Sequence, residues 1–232
     1  MIYIYSHDVP ELDKLLLETL GPKHRFTMIP PSPKEMGEAL HAMEVFREAG
    51  LHARTQSTRF YRDPVRLYNI IMNSDAVYLS GGNTFEFLKY AQGVGLFDML
   101  ADFEEGGGII VAESAGSIIL SPNIATALIP TSSPDEESVR LERFTGMGRI
   151  PFHISPHHDS SSKQENDELQ ALAHYSKIPV IALHDGEGLI IEGDEVTRIV
   201  GNPSKYYPDI VPAVNLEPGV VMPKWAGEIP DQ

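Results

Sequence analysis

Apolar and polar positions along the first half of the chain alternate between two periods. MIYIYS (1–6) is a short apolar run of strand character. Pro10 to Leu20 carries apolar residues at helical spacing and stops at Gly21-Pro22. His24 to Ile29 predicts a second strand. Ser32-Pro33-Lys34-Glu35 has the form of a capping box with proline at the first helical position, and the following helix runs through Ala39, Met43 and Phe46 to Gly50. Leu51 to Thr55 predicts a return to the sheet, Asp63-Pro64 the start of another helix, and Asp75 to Leu79 a compact strand. Repeated βα units of this kind build a mainly parallel sheet with helices on both faces. Reactive groups in such a sheet gather beyond the carboxyl ends of the strands.

The pattern continues through GGGIIVAESAGSII (106–119) as strand, sharp turn and helix, with Ser114 at the apex. A tight turn there pushes the hydroxyl into a cleft and leaves the next amide at a helix start, where it can face an oxyanion. The usual elbow is G-x-S-x-G. Here Ala112 takes the first glycine's place and Gly116 the last. From Ser121 to Gly148 the periodicity fails. Pro122, Pro130, Pro134 and the acidic run 135–137 predict an exposed loop, with a helical turn or two over Ser138 to Phe144. A loop of that length inside a compact domain is mobile or functional, and 121–148 is read as an active-site loop. Regular signals return as a strand at Ile150 to Ile154, a helix at about Gln164 to Tyr175 and a strand at Val180 to Leu183. Leu189–Ile191, Val196–Val200 and Ile210–Val214 read as antiparallel β structure.

Composition narrows the classes of function. The 232 residues suit one domain with a substantial core, spanning 1–232. A formal net charge of −15 without a basic stripe excludes a nucleic-acid backbone as partner. The absence of cysteine removes disulfides, thiolate metal sites and a cysteine nucleophile. MIYIYSHDVPELDK lacks a basic region followed by a long apolar one, and no apolar run approaches the ~20 residues that cross a bilayer. A cytoplasmic setting with no membrane partner is expected.

A serine hydroxyl needs a base within hydrogen-bond reach, and the base needs an orienting group. PFHISPHHDS places His153, His157, His158 and Asp159 at the end of one strand, and VIALHDGEG places His184 and Asp185 at the end of the next. Spacing alone leaves two assignments open, Ser114–His157–Asp185 and Ser114–Asp159–His184. A metal cluster of His153, His157, His158 and Asp159 is a third reading, although the neighbours His157 and His158 suit it poorly. Gly81-Gly82-Asn83 after the strand DAVYLS allows close backbone approach to a bound group. The amides of Gly82 and Ala115 are candidates for an oxyanion hole, and Asn83 for capping the helix that follows.

Four segments together, YLSGGNTFEFL (78–88), ESAGSI (113–118), TGMGRIPFHISPHHD (145–159) and VIALHDGEGL (180–189), resemble the S51 serine peptidase family, which contains aspartyl dipeptidase (peptidase E) and cyanophycinase. The resemblance covers most of the chain from residue 75 to about 200. It implies an α/β three-layer sandwich with a mainly parallel central sheet, similar to the class I glutamine amidotransferase domain (flavodoxin-like), to which the strand pattern adds a small antiparallel C-terminal β extension. It implies Ser114 as nucleophile, His157 as general base, Asp185 as orienting carboxylate, and the Gly82 and Ala115 amides as oxyanion donors. Asn83, Glu113, His158 and His184 are then substrate-binding or supporting groups. The implied activity is hydrolysis of an amide bond in a small peptide through an acyl-enzyme, with no cofactor or metal. A homodimer is the assembly to test for.

Two positions depart from the family pattern. Glu113 puts a carboxylate beside the nucleophile, so it is expected to point away or to meet a substrate cation. SSSKQENDELQ (160–170) lacks the arginines with which peptidase E favours an N-terminal aspartate, so strict Asp-X specificity is not expected. Cyanophycinase-like cleavage of β-linked Asp-Arg, an esterase or amidase, and a catalytically inactive binding module are the alternatives.

Overall fold

The computed structural model describes residues 1–219 apart from 33–35, 52, 56–61, 138, 194, 203 and 210–211. The proposed capping box falls largely outside these residues. Five parallel strands form most of the central sheet: β1 (Ile2–Tyr5), β2 (Phe26–Ile29), β3 (Ala53–Thr55), β4 (Ala76–Leu79) and β5 (Ile109–Glu113). Two antiparallel strands, β8 (Gly188–Glu192) and β9 (Glu195–Val200), extend it beyond β1, giving the order β3-β2-β4-β5-β1-β8-β9.

Strand alternation divides the core. Ile2, Ile4, Val77, Leu79, Ile110 and Ala112 point to one face, where they pack with helices α3 (Pro64–Met72), α4 (Thr84–Val94) and α5 (Leu96–Glu105). Tyr3, Tyr5, Phe26, Met28, Tyr78 and Val111 point to the other, against α1 (Pro10–Leu20) and α2 (Gly37–Glu48). This is the expected three-layer arrangement. Asp63 caps α3 through the Arg66 amide, as the Asp-Pro pair predicts.

The second half builds a second sheet, which the strand signals alone did not separate from the first. β6 (His153–Ser155) and β7 (Val180–Ala182) do not join the central sheet. They pair in parallel within a second sheet completed by β10 (Ser204–Tyr207) and β11 (Val214–Leu216), in the order β11-β10-β7-β6. One face carries Val180, Ala182 and Tyr207 against Leu169 and Ala173 of α7 (Lys163–Ser176). The other turns Ile154 and Ile181 into the main core, near the short helix α6 (Ala115–Ile118). The antiparallel C-terminal extension is therefore divided between two sheets. The last strand among the described residues lies at Val214–Leu216, later than the Ile210–Val214 reading, of which 210 and 211 are outside the described residues.

The 121–148 segment contains a 3-10 turn, Ala125–Leu128, and no helix over the described residues 139–144, contrary to expectation. It is held in place rather than loose. The Asn83 amide donates to the Glu136 carbonyl, the Thr84 amide to the Asp135 carboxylate, and Gln92 to the Thr145 carbonyl.

Asp13 lies on the buried side of α1 between Leu12 and Leu16. Burial pushes its carboxyl up from 3.8 to about 6. Both folded and unfolded chains bind the proton below about pH 4, so stability is greatest there with respect to this group. It falls as pH rises through about 6, because only the folded state must hold the charge in a poor solvent. A rise of about two units corresponds to about 3 kcal/mol. Asp13→Asn is therefore expected to stabilise the chain by up to about 3 kcal/mol at pH 8 and by almost nothing at pH 4. Denaturant unfolding at the two pH values measures this; an equal effect at both would refute the electrostatic origin.

Candidate active site

The registers bring the carboxyl ends of three strands to one edge. Tyr5 stands opposite Glu113, and Leu79 opposite Ala112. Ser6, Ser114 and Ser80-Gly81 therefore emerge side by side. Ser114 adopts φ 48° and ψ −116°, a backbone conformation that costs a non-glycine residue energy and marks the elbow. Gly116 is what lets the elbow close: a Cβ there would lie 2.2 Å from the Leu79 carbonyl oxygen. Gly81 lies against the Ser114 turn, and Gly82 takes φ 128°, open to glycine alone without strain. Ala115 opens α6, so its amide is among those a first turn leaves without an intrahelical acceptor.

The second sheet supplies the partners. Ser155 and Ala182 are in parallel register, so the segments after β6 and β7 leave the sheet at one level. The turn at 184–187 then crosses to β1, with Gly186 donating to the His7 carbonyl and Ser6 to the Glu187 carbonyl. His157 Nε2 lies 2.9 Å from Ser114 Oγ, and His157 Nδ1 lies 2.7 Å from Asp185 Oδ1. His157 sits at φ 56°, and its amide donates to Ser6 Oγ at 2.8 Å. The Ser6 hydroxyl in turn donates to the Leu183 carbonyl at 3.1 Å, with Asp185 Oδ1 at 3.4 Å. A fully buried serine thus pins the backbone of both other segments.

The remaining sequence candidates have other partners. His184 bonds the fully buried Glu187 through both its amide and Nδ1, and Ser204 donates to the same carboxylate. Asp159 accepts from the amide and hydroxyl of Ser161, which hold its carboxyl below the usual range. The structure therefore brings His157 and Asp185, not the Asp159–His184 pair, to Ser114. His158 is buried with Nδ1 on Glu165 and Nε2 near the Tyr207 hydroxyl; burial lowers its pKa. His153 lies buried in β6, where burial pushes its pKa down to about 4. The His153, His157, His158 and Asp159 side chains thus do not converge on a metal. Asn83 caps α4 through the Glu86 amide while tying down the 121–148 segment.

Glu113 points away from the relay into a largely buried polar cluster. The Tyr78 hydroxyl donates to one oxygen, and His7 Nδ1 lies 2.9 Å from the other. Burial raises the Glu113 pKa, against the pull of His7. Burial also works against charge on His7, but its hydrogen bond to Glu113 prevails and raises the ring above its ordinary value.

A cleft of about 390 Å³ opens beside Ser114 and His157. Thr126, Ile129, Pro130 and Asp135 of the 121–148 segment form one wall, and Asp159 and Glu165 another. Neither lysine nor arginine is among the described residues that line it.

Fold and site together define an α/β protein with a mostly parallel central sheet and with Ser114, His157 and Asp185 in hydrogen-bond contact beyond the sheet's carboxyl edge. The model of peptidase family S51 matches residues 6–199, and the chain belongs to that family. A protein named Peptidase E from Shewanella amazonensis is 30% identical over 144 residues, 59% of this chain and 58% of the relative. Across the first relatives matched, the alignments span only 50–60% of the relative's length. A crystal structure titled as a putative peptidase E protein from Listeria monocytogenes has the same fold, with a TM-score of 0.66 at 20% identity over 86% of this chain and 96% of the other. That of a peptidase from an acI-B1 actinobacterium gives 0.69 at 16% identity, covering 95% of each chain.

Ser6, His7, Glu165 and Glu187 escaped the sequence reading. A signal for the first two was present: Ser-His-Asp follows directly on the strand MIYIY, at the strand end where reactive groups gather.

Proposed function

We propose that this chain is a cytoplasmic serine peptidase that hydrolyses an amide bond in a small peptide. The observation that carries the reading is the unbroken contact from Ser114 Oγ through the His157 ring to Asp185. Ser114 attacks the scissile carbonyl while His157 Nε2 takes its proton. Asp185 holds the Nδ1 proton and stabilises the imidazolium. The amides of Gly82 and Ala115 receive the developing oxyanion, each such donor being worth about 3 kcal/mol. The imidazolium then protonates the leaving amine, and a water activated by His157 cleaves the acyl-enzyme. The pinned wall at 126–135 favours a dipeptide or short peptide over a folded protein.

Membership of family S51 and relatives named Peptidase E support the reaction class. The cleft argues for a different side-chain preference from that of the relative named as a probable alpha-aspartyl dipeptidase. Asp135, Asp159 and Glu165 line it, and the described lining residues include neither lysine nor arginine. A substrate carboxylate meets like charge, and a substrate ammonium or guanidinium meets opposite charge, each contact worth up to about 1 kcal/mol at a partly exposed site. Dipeptides bearing arginine or lysine are expected to exceed Asp-X dipeptides in kcat/KM by about tenfold or more, the rate ratio for about 1.4 kcal/mol. A dipeptide panel with Ser114→Ala as blank measures this. Preference for Asp-X would overturn the specificity, and equal turnover by the blank would overturn the mechanism.

A further inference from the structure

A second set of ligating side chains lies at the end of β1 and on α2. His7, Asp8 and His41 bring three donor atoms within 4.8 Å of one another. An Asp8 carboxylate oxygen lies 3.5 Å from His7 Nε2 and 4.0 Å from His41 Nε2. Ligands at ~2.1 Å around a four-coordinate zinc ion stand roughly 3.4 Å apart. Asp8 and His41, whose side chains are exposed, are the two that must move to reach that spacing. The two imidazole rings are neighbours, with ring centroids 6.3 Å apart and planes 26° from parallel.

The support behind His7 is the independent observation. Its Nδ1 is engaged by Glu113, whose other oxygen accepts from Tyr78. A carboxylate on one ring nitrogen keeps the proton there and leaves the lone pair of the other nitrogen free. Metal-bound histidines are held and made more basic in this way. The arrangement also gives the buried Glu113 a purpose that the Ser114 relay does not supply.

We propose that His7, Asp8 and His41 bind one divalent transition-metal ion of the zinc class, with Glu113 as a positioning residue. Two imidazoles and a carboxylate form a donor set suited to such ions, and the exposed position leaves further coordination to water. The His7 ring lies 5.9 Å from that of His157, so the ion sits at the rim of the proposed active site. None of its three ligands belongs to the relay, and the inference stands apart from the peptidase reading.

The test titrates the full chain with Co²⁺, followed by visible d–d absorption, and then with Zn²⁺ in competition with a chromophoric chelator. One equivalent is expected to bind. His41→Ala, at an exposed helix position, is expected to weaken binding at least tenfold. Glu113→Gln is expected to weaken it about 10–100-fold, the range for a lost supporting carboxylate. His157→Ala should bind the ion as wild type does. Absence of stoichiometric binding by wild type would overturn the site, as would His41→Ala binding undiminished. A loss of binding confined to His157→Ala would place the ion on the relay instead. Asp8→Asn serves as a second ligand variant should His41→Ala fold poorly, with the same expected loss.

Discussion

Ser114→Ala and His157→Ala are each expected to lower kcat on the order of 10⁵- to 10⁶-fold, and the double variant no further. The two side chains act as one unit. Without the Nε2 acceptor 2.9 Å away, the hydroxyl keeps its proton and attacks no faster than an ordinary alcohol. Without the hydroxyl, the imidazole has nothing to activate except water. The residual rate comes from binding and the oxyanion donors, which neither substitution removes. Both side chains border the cleft, so truncation empties no core position. Thermal unfolding should therefore match wild type. A fluorophosphonate probe should label wild type and fail on both variants. His184→Ala is the contrasting case: its ring serves Glu187, so the rate should stay near wild type. Multiplicative losses in the double variant, or a rate collapse confined to His184→Ala, would refute the relay.

The parts of this molecule legible in sequence were those decided by local physics. Strand and helix periods located β1, α1, β4 and β7 to within a residue or so, since burial on one face dictates the spacing. The elbow was legible because a serine between small residues has few ways to follow a strand; Gly116 against the Leu79 carbonyl shows why the last small residue is needed. The choice between His157 and His184 was not legible from spacing, since each follows a strand and stands near an aspartate. Family resemblance ranked them, and geometry separates them through Glu187, which claims His184 from a position on the crossing turn. The second sheet was likewise hidden. A short apolar run such as Val180–Ala182 reads the same whether it joins one sheet or another, and partner choice is set by contacts far away in sequence. Proline content made 121–148 read as an exposed loop, whereas the Asn83 side chain, the Thr84 backbone amide and the Gln92 side chain fix it through hydrogen bonds that no periodicity records.

Asp185→Asn is expected to lower kcat by about 10²- to 10³-fold with little change in KM. The carboxylate accepts the Nδ1 proton at 2.7 Å, which leaves Nε2 unprotonated and able to receive the serine proton. An asparagine amide in its place can donate to Nδ1 and shift the ring proton to Nε2, where it opposes Ser114 as a donor. Where the orienting aspartate is buried, that exchange costs about 10⁴-fold. Here the Asp185 side chain is 61% exposed, so the amide can turn its oxygen inward and water can share the orienting task. The loss is correspondingly smaller. By the same reasoning Asp185→Ala, which enforces no wrong tautomer, should retain more activity than the asparagine variant. Ser6 keeps the His157 backbone in place in both variants, so substrate affinity should be spared. Steady-state kinetics on the same dipeptide resolve kcat from KM. Wild-type kcat in Asp185→Asn would mean that a different group orients His157, and a loss confined to KM would make Asp185 a binding residue.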